Sequence, residues 1–363
     1  MPRSSTSPLD RARTQAALAA ARELARLHVD ADERIDIFAI IERAGLWLMI
    51  QPLKNLYGAY ERVGAAAGII INANHPLGLQ RFTAAHEYGH HVLGHESSLD
   101  DAARIEWAGG QDSLTEAAAH VFAAHILMPP RLVNGALRRL GVPPKPGELP
   151  PRVAYRLALE FGVSYAAVVT HLATLGVISR SAATALRRQE PKDIKADIGR
   201  GQRPANAWAD TWTVAGSDAG RVLYPRVDDE LHISLPDASS TGYLWTLSGA
   251  PVVDARDGAS AVDGGGRGEG AVVALLDEVF EPRSAPGQTG DALRLGGGGV
   301  RHFTLRVLHS GRHELRFVKG RPWRPATVPV ETFTVTLDVP QVGERGLPQG
   351  LSERQKPLTA LVA

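Results

Sequence analysis

Apolar positions recur at helical spacing through most of the first half of the chain. Ala17–Leu27 and Asp32–Ala44 each carry them on one face, and Gly45 supplies a C-terminal cap to the second. Leu46–Gln51 and Gly68–Asn72 are short, apolar and bounded by glycine or polar residues, which predicts strands. Helical spacing returns over Leu79–Leu93 and over Ser113–Leu127, the latter stopped by Met128-Pro129-Pro130, and a third helical region covers Pro151–Arg188. Residues 191–212 are polar, carry Gly and Pro, and read as a linker. Beyond them the period falls to two. Leu231–Leu235, Leu244–Leu247, His302–Leu308, His313–Val318 and Thr332–Val339 predict short strands, separated by loops such as Gly264–Gly270 and Gly296–Gly299. Residues 341–363 read as a disordered tail. The expectation is a multidomain α+β chain: a helical domain with a small sheet over 1–190, then an all-β sandwich over 213–340.

Composition narrows this little. The chain has 363 residues, a hydrophobic fraction of 44%, and 40 basic against 39 acidic side chains, for a net charge of +1. So even a balance gives no bulk attraction to nucleic acid or to an anionic membrane. There is no cysteine, so any metal must be held by His, Asp or Glu. The N-terminus lacks the profile of a signal peptide, and no apolar run approaches the length of a membrane span, which predicts a cytoplasmic protein.

The chemistry concentrates in HEYGH, residues 86–90. His86 and His90 are one turn apart on a helix and can reach one ion together. Glu87 lies about 100° round the helix and can reach a water on that ion. Zinc, one per chain, would bring the pKa of such a water to about 7, and Glu87 would take its proton as general base. Gly89 leaves room for close packing beside the site. These features predict a zinc-dependent endopeptidase. A third protein ligand is needed. Glu116 is the candidate, but Ser113-Leu-Thr-Glu116 is also a capping-box sequence in which Glu116 merely bonds the helix start. His120, a turn further on, is a rival ligand or a neighbour of the metal. His91, His95 and His125 have weaker claims.

Residues 41–129 resemble the ImmA/IrrE family of metallopeptidases. The matching pieces are Gly58-Ala59-Tyr60, the strand Ile69–Asn72, RFTAAHEYGHHVLGH (Arg81–His95) and EAAAHVFAAHILMP (Glu116–Pro129). The resemblance implies that Glu116 is the third zinc ligand, with His120 standing where the family usually has Asn. It implies a zincin-like core whose edge strand, here Ile69–Asn72, holds the substrate extended. Tyr57 and Tyr60 are candidates for a phenol on the oxyanion. It also implies a substrate class, helix-turn-helix repressors cleaved in response to stress or mobile-element signals, and hence a role in transcription regulation. LALEFGVSYAAVVTHLATLGVIS within 151–190 itself resembles a helix-turn-helix, with Arg152, Arg156, Arg180, Arg187 and Arg188 nearby. A helical support beside the active site is the reading favoured over direct DNA binding.

Residues 213–339 resemble chagasin, an immunoglobulin-like inhibitor of papain-type cysteine peptidases. SSTGYLW (Ser239–Trp245) is similar to its first inhibitory loop, LGGGGVRHFTL (Leu295–Leu305) to its second and KGRPW (Lys319–Trp323) to its third. Ser240, Thr241, Gly242, Gly297, Gly298, Arg321, Pro322 and Trp323 are the candidate partner-contacting residues. Ala238-Ser239 replaces the Asn-Pro of the first loop, which loosens it. Two other readings compete with the peptidase. One is a cysteine-peptidase inhibitor or binding protein whose zinc site is inert or structural. The other is a DNA-binding regulator.

Overall fold

The computed structural model describes residues 7–64, 66–96, 98–101, 111–143, 147–237, 242–248, 252–255, 270–282, 298–321, 323 and 329–341. The chain divides into two compact units, one running to Arg188 and the other spanning Gln189–Gln341. The glycine-rich stretch 264–269 and the tail from 342 onward fall outside the described residues.

The first unit opens with helix α1 (Pro8–Arg26), nine residues earlier than its apolar pattern begins. Ser7 caps it by accepting from Asp10 N–H, and Pro8 stands where its missing N–H costs nothing. Helix α2 (Ile37–Arg43) follows, capped by Asp36. Strands β1 (Trp47–Gln51), β2 (Leu56–Val63), β3 (Ala66–Asn72) and β4 (Ser98–Asp101) form one sheet in the order β1-β3-β2-β4. The expected edge strand is therefore not an edge. Over Gly68–Asn72, β3 pairs with β1 in parallel, and through Ala66–Ile71 it pairs with β2 antiparallel. With both flanks bonded it has no main-chain groups to offer an extended peptide.

Helix α3 (Leu77–Leu93) crosses this sheet, packing on β2 and β3. Its residues Gln80, Arg81 and Thr83–His90 are all buried, so it is a central helix rather than an amphipathic surface one. A Cβ on Gly58 of β2 would meet the Thr83 methyl at 2.6 Å, which is why a glycine stands in that strand. Helix α4 (Gln111–Leu127) packs on both α1 and α3, and α5 (Pro130–Arg139) follows. The third helical region resolves into α6 (Pro151–Phe161), α7 (Tyr165–Thr174) and α8 (Arg180–Arg187). Arg81 on α3 is buried and donates to the carbonyls of Ile35, Phe161 and Gly162, so α3 holds the last carbonyls of α6.

α6 and α7 meet at 104° across Gly162-Val163-Ser164, within the range of helix-turn-helix pairs. The exposed positions of α7 are Ala166, Thr170 and Thr174, with no basic side chain among them. Arg156 is buried against Glu160, with 2.7 Å from Nε to Oε1, and Arg187 donates to Thr170. No described helix is by itself long and apolar enough to cross a membrane.

The second unit begins with a helix where a linker was expected: α9 (Pro191–Ile198) buries Ile194, and its Lys195 ammonium donates to the Ala209 carbonyl at 2.6 Å. Two sheets follow. β5 (Thr211–Ala215), β7 (Glu230–Asp237), β11 (Gly299–Val307), β10 (Val273–Pro282) and β9 (Val252–Asp254) form one in that order. β6 (Val222–Leu223), β13 (Glu331–Val339), β12 (Gly311–Gly320) and β8 (Leu244–Ser248) form the other. Alternate residues face inward: Leu231, Ile233 and Leu235 on β7, Phe303, Leu305 and Val307 on β11, and Phe333, Val335, Leu337 and Val339 on β13. The sheets meet through Phe303 and Phe317, whose ring centroids are 4.9 Å apart. Such a pair adds about 0.5–1.5 kcal/mol to the area it buries.

Candidate functional site

α3 and α4 lie unusually close. A Cβ on Gly89 would come within 3.0 Å of the Phe122 ring and 3.2 Å of the Ala119 carbonyl, so the glycine anticipated as a packing device sets the helix separation. This approach carries Glu116 of α4 over the histidines of α3. His86 Nε2 lies 3.1 Å from Glu116 Oε2, His90 Nε2 lies 3.5 Å from Glu116 Oε1, and the two Nε2 atoms are 3.2 Å apart. α4 begins at Gln111, two residues before Ser113, so Glu116 sits inside the helix and its carboxylate is turned to the histidines instead of to a helix cap.

His86, His90 and Glu116 are a group that could hold a metal ion, with their ligand atoms all within 4.8 Å of one another. The fit can be tested against coordination chemistry. A tetrahedral zinc with bonds of about 2.0–2.1 Å separates its ligand atoms by about 3.3 Å, close to the 3.2 Å between the two Nε2 atoms and the 3.1 Å from His86 Nε2 to Glu116 Oε2, while His90 Nε2 lies 3.5 Å from the other carboxylate oxygen. The donor set of two imidazoles and one carboxylate is one zinc uses in catalytic sites. Burial pushes the Glu116 carboxyl up, but hydrogen bonds from His86 and His90 and their charge outweigh it and hold the group well below the usual carboxylate range. Glu87, next to His86, is fully buried.

The remaining candidates separate clearly. His120 is exposed at the side of the site, its ring 6.3 Å from that of His86 and 4.9 Å from that of Phe82, and it is not in the three-residue group. His125 packs on the His171 ring at 4.8 Å, and His171 contacts the Met128 carbonyl, so that pair belongs to the interior of the helical region. Tyr60 is buried with its hydroxyl 3.1 Å from His91 Nδ1, on the face of α3 that joins it to the sheet, and Tyr57 stacks on His75. Neither phenol is placed with the three-residue group. His95, given only a weak claim by its spacing, touches one of the three residues directly: its Nδ1 lies 3.0 Å from Nδ1 of His90. Burial, helped by His90, lowers the His95 imidazole to about 4.

In the second unit strand pairing joins the described ends of the three loop regions. Gly299, within the second loop segment, pairs with Asp237 just before the first. Gly320, within the third, pairs with Leu244 of the first. Gly242 has φ +75°, and a Cβ there would strike the Trp323 ring at 3.0 Å. Arg321 lies over the Tyr243 ring at 4.6 Å. Trp323 remains 63% exposed. Arg301 donates to Asp237 at 2.6 Å and to Glu278 at 2.7 Å, tying the strands that flank the first two loops together. Gly298 lies 3.4 Å, by an added Cβ, from the Asp237 carbonyl. Ser240, Thr241, Gly297 and Pro322 fall outside the described residues.

Comparison with known proteins divides the chain in the same two places. Residues 41–172 match the IrrE N-terminal-like domain, a peptidase family model, and residues 225–337 match the chagasin family of peptidase inhibitors. Chagasin of Trypanosoma cruzi is 26% identical over 118 residues, covering 32% of this chain and 88% of chagasin. Among solved structures, a cysteine protease inhibitor from Entamoeba histolytica is similar at 17% identity and TM-score 0.27, over 36% of this chain and 97% of that one. PbICP-C, solved in complex with falcipain-2, is similar at 16% identity and TM-score 0.19, over 36% of this chain and 90% of its own.

Proposed function

We propose that the first unit, with its IrrE N-terminal-like domain, is a zinc-dependent endopeptidase in which His86, His90 and Glu116 hold one zinc ion and Glu87 is the general base. The observation that carries this is that one ligand atom from each of His86, His90 and Glu116 lies within 4.8 Å of the others, although Glu116 stands thirty positions from His86 in sequence. Bound zinc would supply a Lewis acid that polarises a peptide carbonyl and brings the pKa of a water near 7. Glu87 takes the proton of the attacking water on its carboxylate and passes it to the departing amide nitrogen, as a general base and then a general acid. Its burial beside His86 keeps bulk water from competing for that proton. A zincin-like arrangement, with the sheet beside the metal-site helix, is consistent with α3 packing on β2 and β3.

The substrate class follows the family resemblance: a helix-turn-helix repressor, cut to relieve repression. The test is digestion of helix-turn-helix proteins encoded beside this gene, by the zinc-loaded chain and by Glu87→Gln. Cleavage by the first and not the second supports the reading. Absence of cleavage of any such protein, by a chain that does hydrolyse other peptides, removes the repressor assignment and leaves the peptidase.

The second unit we take to be an immunoglobulin-like binding module whose three loops seat a papain-like cysteine peptidase. Support comes from the convergence of Gly242, Arg321 and the exposed Trp323, and from the match to an inhibitor family.

A further inference from the structure

Gly94 ends α3 in the left-handed conformation, at φ +72°. The chain closes on the helix there: His95 N–H donates to the His90 carbonyl at 3.0 Å and Gly94 N–H to the His91 carbonyl at 3.2 Å. These are the two bonds of a Schellman turn. The turn folds His95 back along the helix, so that its Nδ1 lies 3.0 Å from Nδ1 of His90, with the rings at 68° and their centroids 5.0 Å apart. His90 presents its other nitrogen, Nε2, to His86 and Glu116. The two nitrogens of a neutral imidazole have opposite roles. If Nε2 is to give a lone pair to a metal, the proton sits on Nδ1 and needs an acceptor.

We propose that His95 is the positioning residue for His90: its Nδ1 accepts the proton of His90 Nδ1–H and thereby fixes the tautomer and ring angle in which Nε2 is a metal ligand. The proposal rests on the zinc reading of the first unit. His95 is not a ligand itself, since it contacts the nitrogen of His90 that is turned from the group and lies outside that group. The acceptor role requires His95 to be neutral with its own proton on Nε2. It also gives Gly94 a function beyond ending the helix, because only a residue at ease in the left-handed region returns the next side chain to the ligand.

The test compares two variants of the full chain. Asn at position 95 can place a carbonyl oxygen close to where the histidine Nδ1 stands, whereas Leu keeps bulk and offers no acceptor. Zinc affinity is read by competition with a chelating dye. The expected result is that His95→Asn stays within about threefold of the parent while His95→Leu weakens zinc by roughly 10–100-fold, as loss of an outer partner to a metal-bound histidine does. Nitrogen NMR of the zinc-loaded chain should show the His90 Nδ1 proton held in a hydrogen bond in the parent and in His95→Asn, and open to exchange in His95→Leu. Equal zinc affinity for the two variants, or an equally protected His90 Nδ1 proton in zinc-loaded His95→Leu, overturns the positioning role and leaves the zinc site standing. A parent chain that binds no zinc overturns both.

Discussion

The carboxylate of Glu116 lies 3.1 Å from Nε2 of His86, although thirty residues and the whole of β4 separate them in sequence. That contact joins α3 to α4 and turns a two-histidine pair into a three-ligand group. Glu116→Ala should therefore weaken zinc by more than the roughly 10–100-fold typical of an outer partner. A helix-capping role would instead cost about 0.5–2 kcal/mol of stability and leave the metal bound. Zinc titration and thermal melting of the same variant separate the two.

Glu87→Gln should keep zinc at parent affinity and lower peptide hydrolysis by roughly 10²–10⁴-fold, because the amide cannot accept the proton of the attacking water. Hydrolysis at the parent rate would remove Glu87 from its role as base.

Gly89→Ala tests the packing beneath the chemistry. The added methyl would press on Phe122 and on the Ala119 carbonyl, both buried. A loss of about 1–3 kcal/mol in stability is expected, together with weaker zinc binding as α4 and Glu116 are pushed from α3. A variant as stable as the parent with unchanged zinc affinity would show that Gly89 does not set the distance between the ligands.

In the second unit, Trp323→Ala should weaken binding to a papain-type peptidase by about 2 kcal/mol or more, the usual effect of a central aromatic anchor. Its ring is already exposed, so the unit's fold should be unaffected. Steady-state inhibition assays on several such enzymes, with circular dichroism as the control for folding, give the answer. No inhibition by the folded parent at high micromolar concentration would reject that partner.

Much of this was legible in sequence where the signal is local. His86, Glu87 and His90 share one helical turn, so their relation follows from the geometry of α3 alone. Glu116 was ambiguous because its role depends on where α4 starts, and the Ser113 signature pointed to a start two residues late. The place of Ile69–Asn72 was misjudged because pairing order is a property of the whole sheet: β3 is flanked by the strand two before it and the strand just before it. β10 escaped notice because Val273, Ala274 and Leu275 are buried in succession and the register shifts between Leu275 and Asp277, which breaks the alternation that marks a strand. α9 was hidden by Pro191, read as part of a linker although it stands at the start of a helix. His95 was discounted for the same reason as β3 was misplaced, since a left-handed turn at Gly94 brings it to His90 and periodicity cannot show that.

The central claim is that His86, His90 and Glu116 hold one zinc ion, and elemental analysis tests it most directly. The full chain, purified after exposure to zinc and freed of loosely held metal, is compared with His86→Ala and His90→Ala treated alike. One zinc per parent chain and a small fraction of that in either variant is the predicted result. Stoichiometric zinc in both variants, or none in the parent, would contradict it.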